Sequence, residues 1–285
     1  MSELRPMLEA DATDAVWLWD RASRDLAAKY GRPERPRTEA DVGRLTRRIC
    51  HFLRTDPHGS WVADEGGEMV GFSQASVRDR HWMLSLLATD PVHQGRGLGR
   101  GLLERALAHG PSGSPGTIQS SMDRAAMALY ASSGFSLHPA VMADGVPRQR
   151  PPPDPDVRVG GPGDLGLVDE VDRLRRSSTR RVDIERMLAE PVDRLLVLDG
   201  RGYAVARDDR LVTLGALDEA SAEALLHTAL AGATGHFTVG WLTSAQQWAI
   251  RTLVAAGIDL YPSGAVMVRG MPGPPCPYIP SGGFG

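Results

Sequence analysis

Four glycines at alternating positions, Gly95, Gly97, Gly99 and Gly101, separate an apolar segment from a leucine-rich one. Glycine lets the main chain approach a ligand closely, and the free N–H groups at the start of a helix attract anions. The stretch ATDPVHQGRGLGRGLL, residues 88–103, therefore predicts a phosphate-binding loop between a strand and a helix.

Two common phosphate-binding loops do not fit this spacing. A dinucleotide-binding fingerprint needs glycines at relative positions 1, 3 and 6, and the sixth position is Arg100 or Leu102 in the two available registers. A P-loop needs Gly-Lys-Ser/Thr, whereas the only lysine of the chain is Lys29. Both loops are excluded.

The run Gln94-Gly95-Arg96-Gly97-Leu98-Gly99, preceded by Thr89-Asp90-Pro91, closely resembles the acetyl-CoA loop of the GNAT N-acetyltransferase superfamily. The core pattern of that loop is Arg/Gln-x-x-Gly-x-Gly/Ala after a strand that ends in x-Pro. A second stretch, DRAAMALYASSGF, is similar to the fourth helix of the family and matches it at Ala126, Tyr130, Gly134 and Phe135. Asp123 departs from the usual Asn, so it either weakens a CoA contact or caps the helix.

The resemblance implies an α/β fold of the GNAT type and direct acyl transfer from acetyl-CoA, or another acyl-CoA, to an amine in a ternary complex, without a metal. Tyr130 would donate a proton to the departing CoA thiolate, a role that suits a phenol that stays protonated at neutral pH. The resemblance implies that the main chain of Leu87, Ala88 and Thr89 binds pantetheine and the thioester. The pyrophosphate would be bound by Gln94, Gly95, Arg96, Gly97, Leu98 and Gly99, and Arg96 and Arg100 would reach a 3′-phosphate or solvent. The remaining cofactor-binding residues would be Asp123, Ala126 and Tyr130 on the helix.

The sequence leaves the general base open. His81 is the first candidate because an imidazole ordinarily titrates near neutral pH, although a surface histidine in a turn is the plainer interpretation. Other candidates are Ser85, Asp79, Glu34 and Glu39, and a water relay would also suffice.

The tail MPGPPCPYIPSGGFG raises one more candidate for the base. It is either disordered or packed across the domain interface toward the acceptor cleft of the first domain, where its prolines would lower the entropy cost of docking. A carboxylate on Gly285 would then serve as an acceptor ligand or as the base, because desolvation raises the proton affinity of a carboxylate.

The chain contains an internal repeat. Residues 1–147 form a predicted catalytic GNAT domain, 148–156 a proline-rich linker within the proline-rich segment 138–159, and 157–285 a shorter copy with the proline-rich tail. Each copy shows strand, two helices, three strands, helix, strand, helix, strand. The second copy has LGALDEASAEALL at the loop position, and its acidic residues would repel a pyrophosphate, so it resembles the silent halves of tandem GNAT proteins.

Composition sets broader bounds. The 285 residues suit two domains of ordinary length, and the resemblance implies that they are tandem mixed-sheet domains. A net charge of -3 gives no general attraction to nucleic acid or anionic membrane. Cys50 and Cys276 are far apart and fit reduced cytosolic thiols, one of them buried. No signal segment or membrane span is legible, so we expect a cytoplasmic protein, a monomer or homodimer, that acts on a small-molecule amine. A protein that binds or senses acyl-CoA without turnover is the alternative.

Overall fold

A computed structural model describes residues 2–31 and 36–285. Glu34, one of the candidate bases, lies outside the described residues. Internal contacts divide the chain into two compact units, residues 1–114 and 115–285. Each unit is described by itself.

The first unit carries a four-stranded antiparallel sheet in the order β1-β2-β3-β4. Its elements are β1 (Glu3–Pro6), α1 (Ala12–Lys29), α2 (Glu39–Thr55), β2 (Ser60–Glu65), β3 (Glu68–Arg78), β4 (His81–Thr89) and α3 (Leu98–Leu107).

The alternation of side chains along the strands places helices on both faces of this sheet. Val62, Phe72, Leu86 and Ala88 pack with the apolar sides of α1 and α2. The opposite face packs on α3, and two buried hydrogen bonds to its carbonyls fix the contact: Ser73 Oγ donates to Leu102 O at 3.0 Å, and Trp82 Nε1 donates to Ala106 O at 2.9 Å. The end of β4 and the start of α3 are thereby held in fixed positions.

The second unit contains the last strands of the first copy together with the whole second copy. Its elements are β5 (Gly116–Ser120), α4 (Arg124–Ser132), β6 (Ser136–Gly145), β7 (Val157–Val159), α5 (Leu165–Arg176), α6 (Arg181–Leu188), β8 (Arg194–Leu198), β9 (Gly202–Arg207), β10 (Arg210–Ala216), α7 (Glu219–Ala231), β11 (Phe237–Leu242), α8 (Gln247–Ala255), β12 (Asp259–Arg269) and β13 (Tyr278–Ile279).

The sheet of the second unit shows an exchange of strands between the two copies. The strand order is β5-β12-β6-β11-β10-β9-β8-β7, with β13 paired to β10. β12, the last long strand of the second copy, lies between β5 and β6 of the first copy and pairs antiparallel with both. β6 in turn pairs with β11 of the second copy. Each copy thus supplies a strand to the other.

The predicted order of elements and the predicted α/β class are confirmed in both copies. The segment 138–159 is not a linker throughout, because β6 continues to Gly145. The domain boundaries at 147 and 157 stay a prediction about the repeat. Both cysteines are unpaired and partly buried, so the expectation of one fully buried thiol was wrong. Among the described residues, no helix has the length and apolar character needed to cross a membrane.

Candidate functional site

The glycine-rich segment forms a tight connection between β4 and α3. The carboxylate of Asp90 accepts a hydrogen bond from Val92 N at 3.2 Å and so caps a short 3-10 turn, Pro91–His93. Gly95 and Gly97 then adopt φ values of +78° and +82°, in the left-handed region that favours glycine. Gly97 is the N-cap of α3.

This connection leaves a row of main-chain donors available. Within the described part of the chain, the N–H groups of residues 94–99 form no hydrogen bond. A Cβ built on Gly95 or Gly97 would have nothing within 4 Å, so space is open beside the loop. Free N–H groups at a helix start, together with the helix dipole, favour a bound phosphate. The loop therefore fits the pyrophosphate of an acyl-CoA.

The residues expected to contact pantetheine lie on the strand that leads into the loop. Leu87, Ala88 and Thr89 are at the end of β4, which pairs with β3 and is the last strand of the sheet in the first unit. The structure thus brings these residues and the loop residues 94–100 together in the first unit.

Charged side chains surround the loop, and sequence reasoning missed one of them. Arg21 of α1 donates to Asp90 at 3.0 Å. Burial raises the pKa of the Asp90 carboxyl, but hydrogen bonds from Arg21 and from the Val92 amide lower it more, so that the pKa lies below its usual value. Glu65, at the end of β2, contacts both His93 and Arg96. It precedes the loop by many residues, and no sequence signal connects the two.

Tyr130, Asp123 and Ala126 belong to α4 in the second unit. Asp123 is the N-cap of α4, and its carboxylate accepts from Ala126 N at 2.7 Å, so the aspartate caps the helix. Tyr130 is only 5% exposed. Burial, and to a smaller extent the charge of Asp123, raise the pKa of the Tyr130 phenol well above its ordinary value. The phenol therefore stays protonated at any physiological pH.

His81 lies at the opposite end of β4 from the loop. It is buried at the first position of the strand, opposite Arg78 of β3. Because an extended strand rises about 3.3 Å per residue, His81 is about 26 Å from Thr89. The structure does not bring His81 to the loop, and this distance does not support its expected role as base.

The corresponding region of the second copy is built differently. The carboxylate of Asp218 accepts from Ser221 N at 2.8 Å and caps α7, so a negative charge occupies the helix start. The strand before it, β10, pairs with β13 of the chain's own tail, and Ala216 N donates to Pro277 O at 3.3 Å. A carboxylate at the helix start and a paired strand both disfavour a bound phosphate at this position.

The tail ends inside a polar cluster of the second copy. The Gly285 oxygen accepts a hydrogen bond from the Tyr278 hydroxyl at 2.9 Å and another from Arg180, a fully buried side chain. Arg180 also donates to Asp172 and Tyr203, both at 2.9 Å. These contacts hold the Gly285 oxygen within the second unit. Its role as the base stays a prediction.

Comparison with known families agrees with this geometry. Residues 18–135 match the model of the Acetyltransferase (GNAT) family, and this match covers the loop, α3 and α4. Residues 18–135 therefore form a domain of the GNAT acetyltransferase family. Proteins of this family use acetyl-CoA or another acyl-CoA. The chain has no significant match among curated proteins.

Several solved structures share the fold over nearly the whole chain. A provisionally assigned acetyltransferase from Pyrococcus horikoshii is 17% identical with a TM-score of 0.78, over 100% of this chain and 96% of that one. A tandem GNAT protein from the clavulanic acid biosynthesis pathway is 17% identical with a TM-score of 0.58, over 96% of this chain and 100% of that one. A GCN5-related N-acetyltransferase from Sphaerobacter thermophilus is 15% identical with a TM-score of 0.60, over 95% and 96% of the two chains.

Proposed function

We propose that the protein is an acyl-CoA-dependent N-acyltransferase that moves an acetyl or other acyl group to the amine of a small molecule, in the cytoplasm. The observation that carries the proposal is the row of free N–H groups over residues 94–99, at the end of β4 and the start of α3. The family match supports the acyl-CoA donor.

In this proposal the chain contributes binding, orientation and one proton. The amides of residues 94–99 hold the pyrophosphate, and the main chain of residues 87–89 aligns the pantetheine arm. Acyl-CoA supplies a thioester that the acceptor amine attacks directly. Tyr130 donates a proton to the departing thiolate sulfur, an assignment that rests on the α4 motif and on the protonated state that burial favours.

The second copy has a supporting role in the proposal. Its helix start carries Asp218 in place of a glycine loop, and its β10 pairs with the tail. We therefore propose one acyl-CoA site per chain, in the first copy.

The alternative is a protein that binds acyl-CoA without turnover. One observation favours it: the raised pKa of Tyr130 makes the phenol a weaker acid than an exposed tyrosine. An assay of CoA thiol release from acetyl-CoA on a panel of small amines separates the two. Turnover that depends on Tyr130 supports the enzyme, whereas tight acetyl-CoA binding with no thiol release on a broad panel supports the binding protein.

A further inference from the structure

A carboxylate from outside the glycine loop contacts the imidazole of His93 and the guanidinium of Arg96. Glu65 Oε2, at the end of β2, lies 3.2 Å from His93 Nε2 and 3.7 Å from Arg96 Nη1. Arg96 is 57% exposed, whereas the side chain of His93 is only 20% exposed. Glu65 thus bridges these two side chains.

The other charges near His93 are already paired. His93 Nδ1 lies 3.8 Å from Asp90 Oδ1, and Asp90 is held by Arg21 of α1. The contacts around His93 therefore involve two carboxylates, Glu65 and Asp90, and two guanidinium groups, Arg21 and Arg96. Asp90 has a structural task, because it caps the turn at Pro91–His93. No such task is visible for the carboxylate of Glu65, since its contacts are to His93 and Arg96.

We propose that Glu65 competes with the phosphate groups of acyl-CoA for the side chains of His93 and Arg96, and thereby holds the affinity of the loop for acyl-CoA below what its amides alone would give. The proposal rests on the proposed function of the loop. A ligand phosphate that approaches Arg96 meets a guanidinium that Glu65 has partly neutralised, and it also meets the repulsion of the Glu65 carboxylate itself. Weaker binding of the phosphate groups would also speed the release of CoA, a polyanion, after the reaction.

The expected size of the effect follows from the geometry. Glu65 is partly exposed, so its interaction with a nearby phosphate is screened by water and salt. Unit charges a few ångström apart under such conditions change a binding constant by about three- to tenfold. Glu65→Gln keeps the size of the side chain and removes the charge.

The test is calorimetric titration of the native protein and of Glu65→Gln with acetyl-CoA at low salt. The proposal predicts that Glu65→Gln binds acetyl-CoA about three- to tenfold more tightly, and that the gain shrinks in 0.5 M NaCl. Glu68→Gln is the matched control, because Glu68 pairs directly opposite Glu65 in the same hairpin. Among the described residues, the carboxylates that contact His93 and Arg96 are Glu65 and Asp90. This control should stay within about twofold of the native protein.

Acetyl-pantetheine, which lacks the phosphates, is the control ligand. Its binding should be the same for the native protein and Glu65→Gln. Unchanged or weaker acetyl-CoA binding by Glu65→Gln, or an equal gain for acetyl-pantetheine, would overturn the proposal. A native protein that binds no acetyl-CoA at all would instead contradict the proposed function, so the two failures are distinguishable.

Discussion

Gly264 in β12 lies directly against Ser120 in β5. A Cβ built on Gly264 would be 2.1 Å from the Ser120 carbonyl oxygen, and Gly264 has a φ of +108° that other residues rarely adopt. The strand of one copy therefore meets the strand of the other at a point where only glycine fits.

Gly264→Ala is expected to destabilise the second unit. The added methyl group must displace the β5 backbone, and the positive φ adds strain, for a combined loss of about 2–4 kcal/mol in the free energy of unfolding. Chemical denaturation of the native and variant proteins measures this loss. Gly235→Ala is the control, because a Cβ at Gly235 meets nothing within 4 Å, and it should change stability by less than about 0.5 kcal/mol. A Gly264→Ala protein as stable as the control would contradict the close approach of β5 and β12.

The exchange of strands also predicts how fragments behave. Residues 1–147 lack β12, which pairs with both β5 and β6. We expect this fragment to show no cooperative unfolding alone and to regain native circular dichroism and acetyl-CoA binding when it is co-expressed with residues 148–285. Cooperative folding of residues 1–147 alone, with acetyl-CoA affinity equal to that of the whole chain, would show that β12 is dispensable.

Much of the fold follows from local sequence signals, but the exchange of strands does not. The helix α2 is predicted by the spacing of its apolar residues and by Thr38, whose side chain accepts a hydrogen bond from Asp41 N and caps the helix start. β6 and β12 can also be predicted as strands. The strands with which they pair cannot be predicted, because each would pair equally well within its own copy and the choice depends on contacts far apart in sequence.

Asp56 links the stability of the first unit to pH. It is 2% exposed, accepts from Val77 N, and lies 3.1 Å from His109 Nε2 and 2.7 Å from Arg78 Nη1. Burial raises the pKa of the Asp56 carboxyl, but the contacts with His109 and Arg78 lower it more, so that the pKa lies below its usual value. A lowered carboxyl pKa stabilises the fold above the pKa of the unfolded state, and this contribution is lost as the pH falls through the folded-state pKa.

Asp56→Asn should therefore cost about 3 kcal/mol of unfolding free energy at neutral pH, because it leaves the partly buried guanidinium of Arg78 with a weaker partner. Its loss of stability relative to the native protein should shrink as the pH is lowered below about 4. Denaturation curves at several pH values measure both effects, with the exposed Asp156→Asn as the control. A stability difference that does not change with acid pH would contradict the assigned ion pair.

Tyr130→Phe tests the proposed proton donor. Removing a general acid typically slows turnover by about a hundredfold or more, while acetyl-CoA affinity should change by less than about twofold because no binding amide is altered. Steady-state kinetics and calorimetry separate the two quantities. A variant with native kcat would remove Tyr130 from the mechanism, and a variant with lost affinity would give Tyr130 a binding role.

The candidate site was only partly predictable. The spacing of the glycines predicted the loop, because free amides at a helix start follow from local sequence. The distance of His81 from the loop also follows from an extended strand, although the titratable character of His81 made it the first candidate for the base. The contact of Glu65 with His93 and Arg96 depends on how β2 meets the loop, and no local pattern encodes it.

The most direct test of the account is the number of acetyl-CoA molecules that one chain binds, measured by calorimetric titration of the native protein and of Gly97→Glu. The native protein should bind one molecule, and Gly97→Glu should bind none, because its side chain places bulk and negative charge beside the free amides. Gly113→Glu is the matched control, because Gly113 has a similar φ of +70°, equally open space and no place in the loop; it should bind one molecule with native affinity. A stoichiometry of two, or native affinity in Gly97→Glu, would contradict a single acyl-CoA site at the glycine loop.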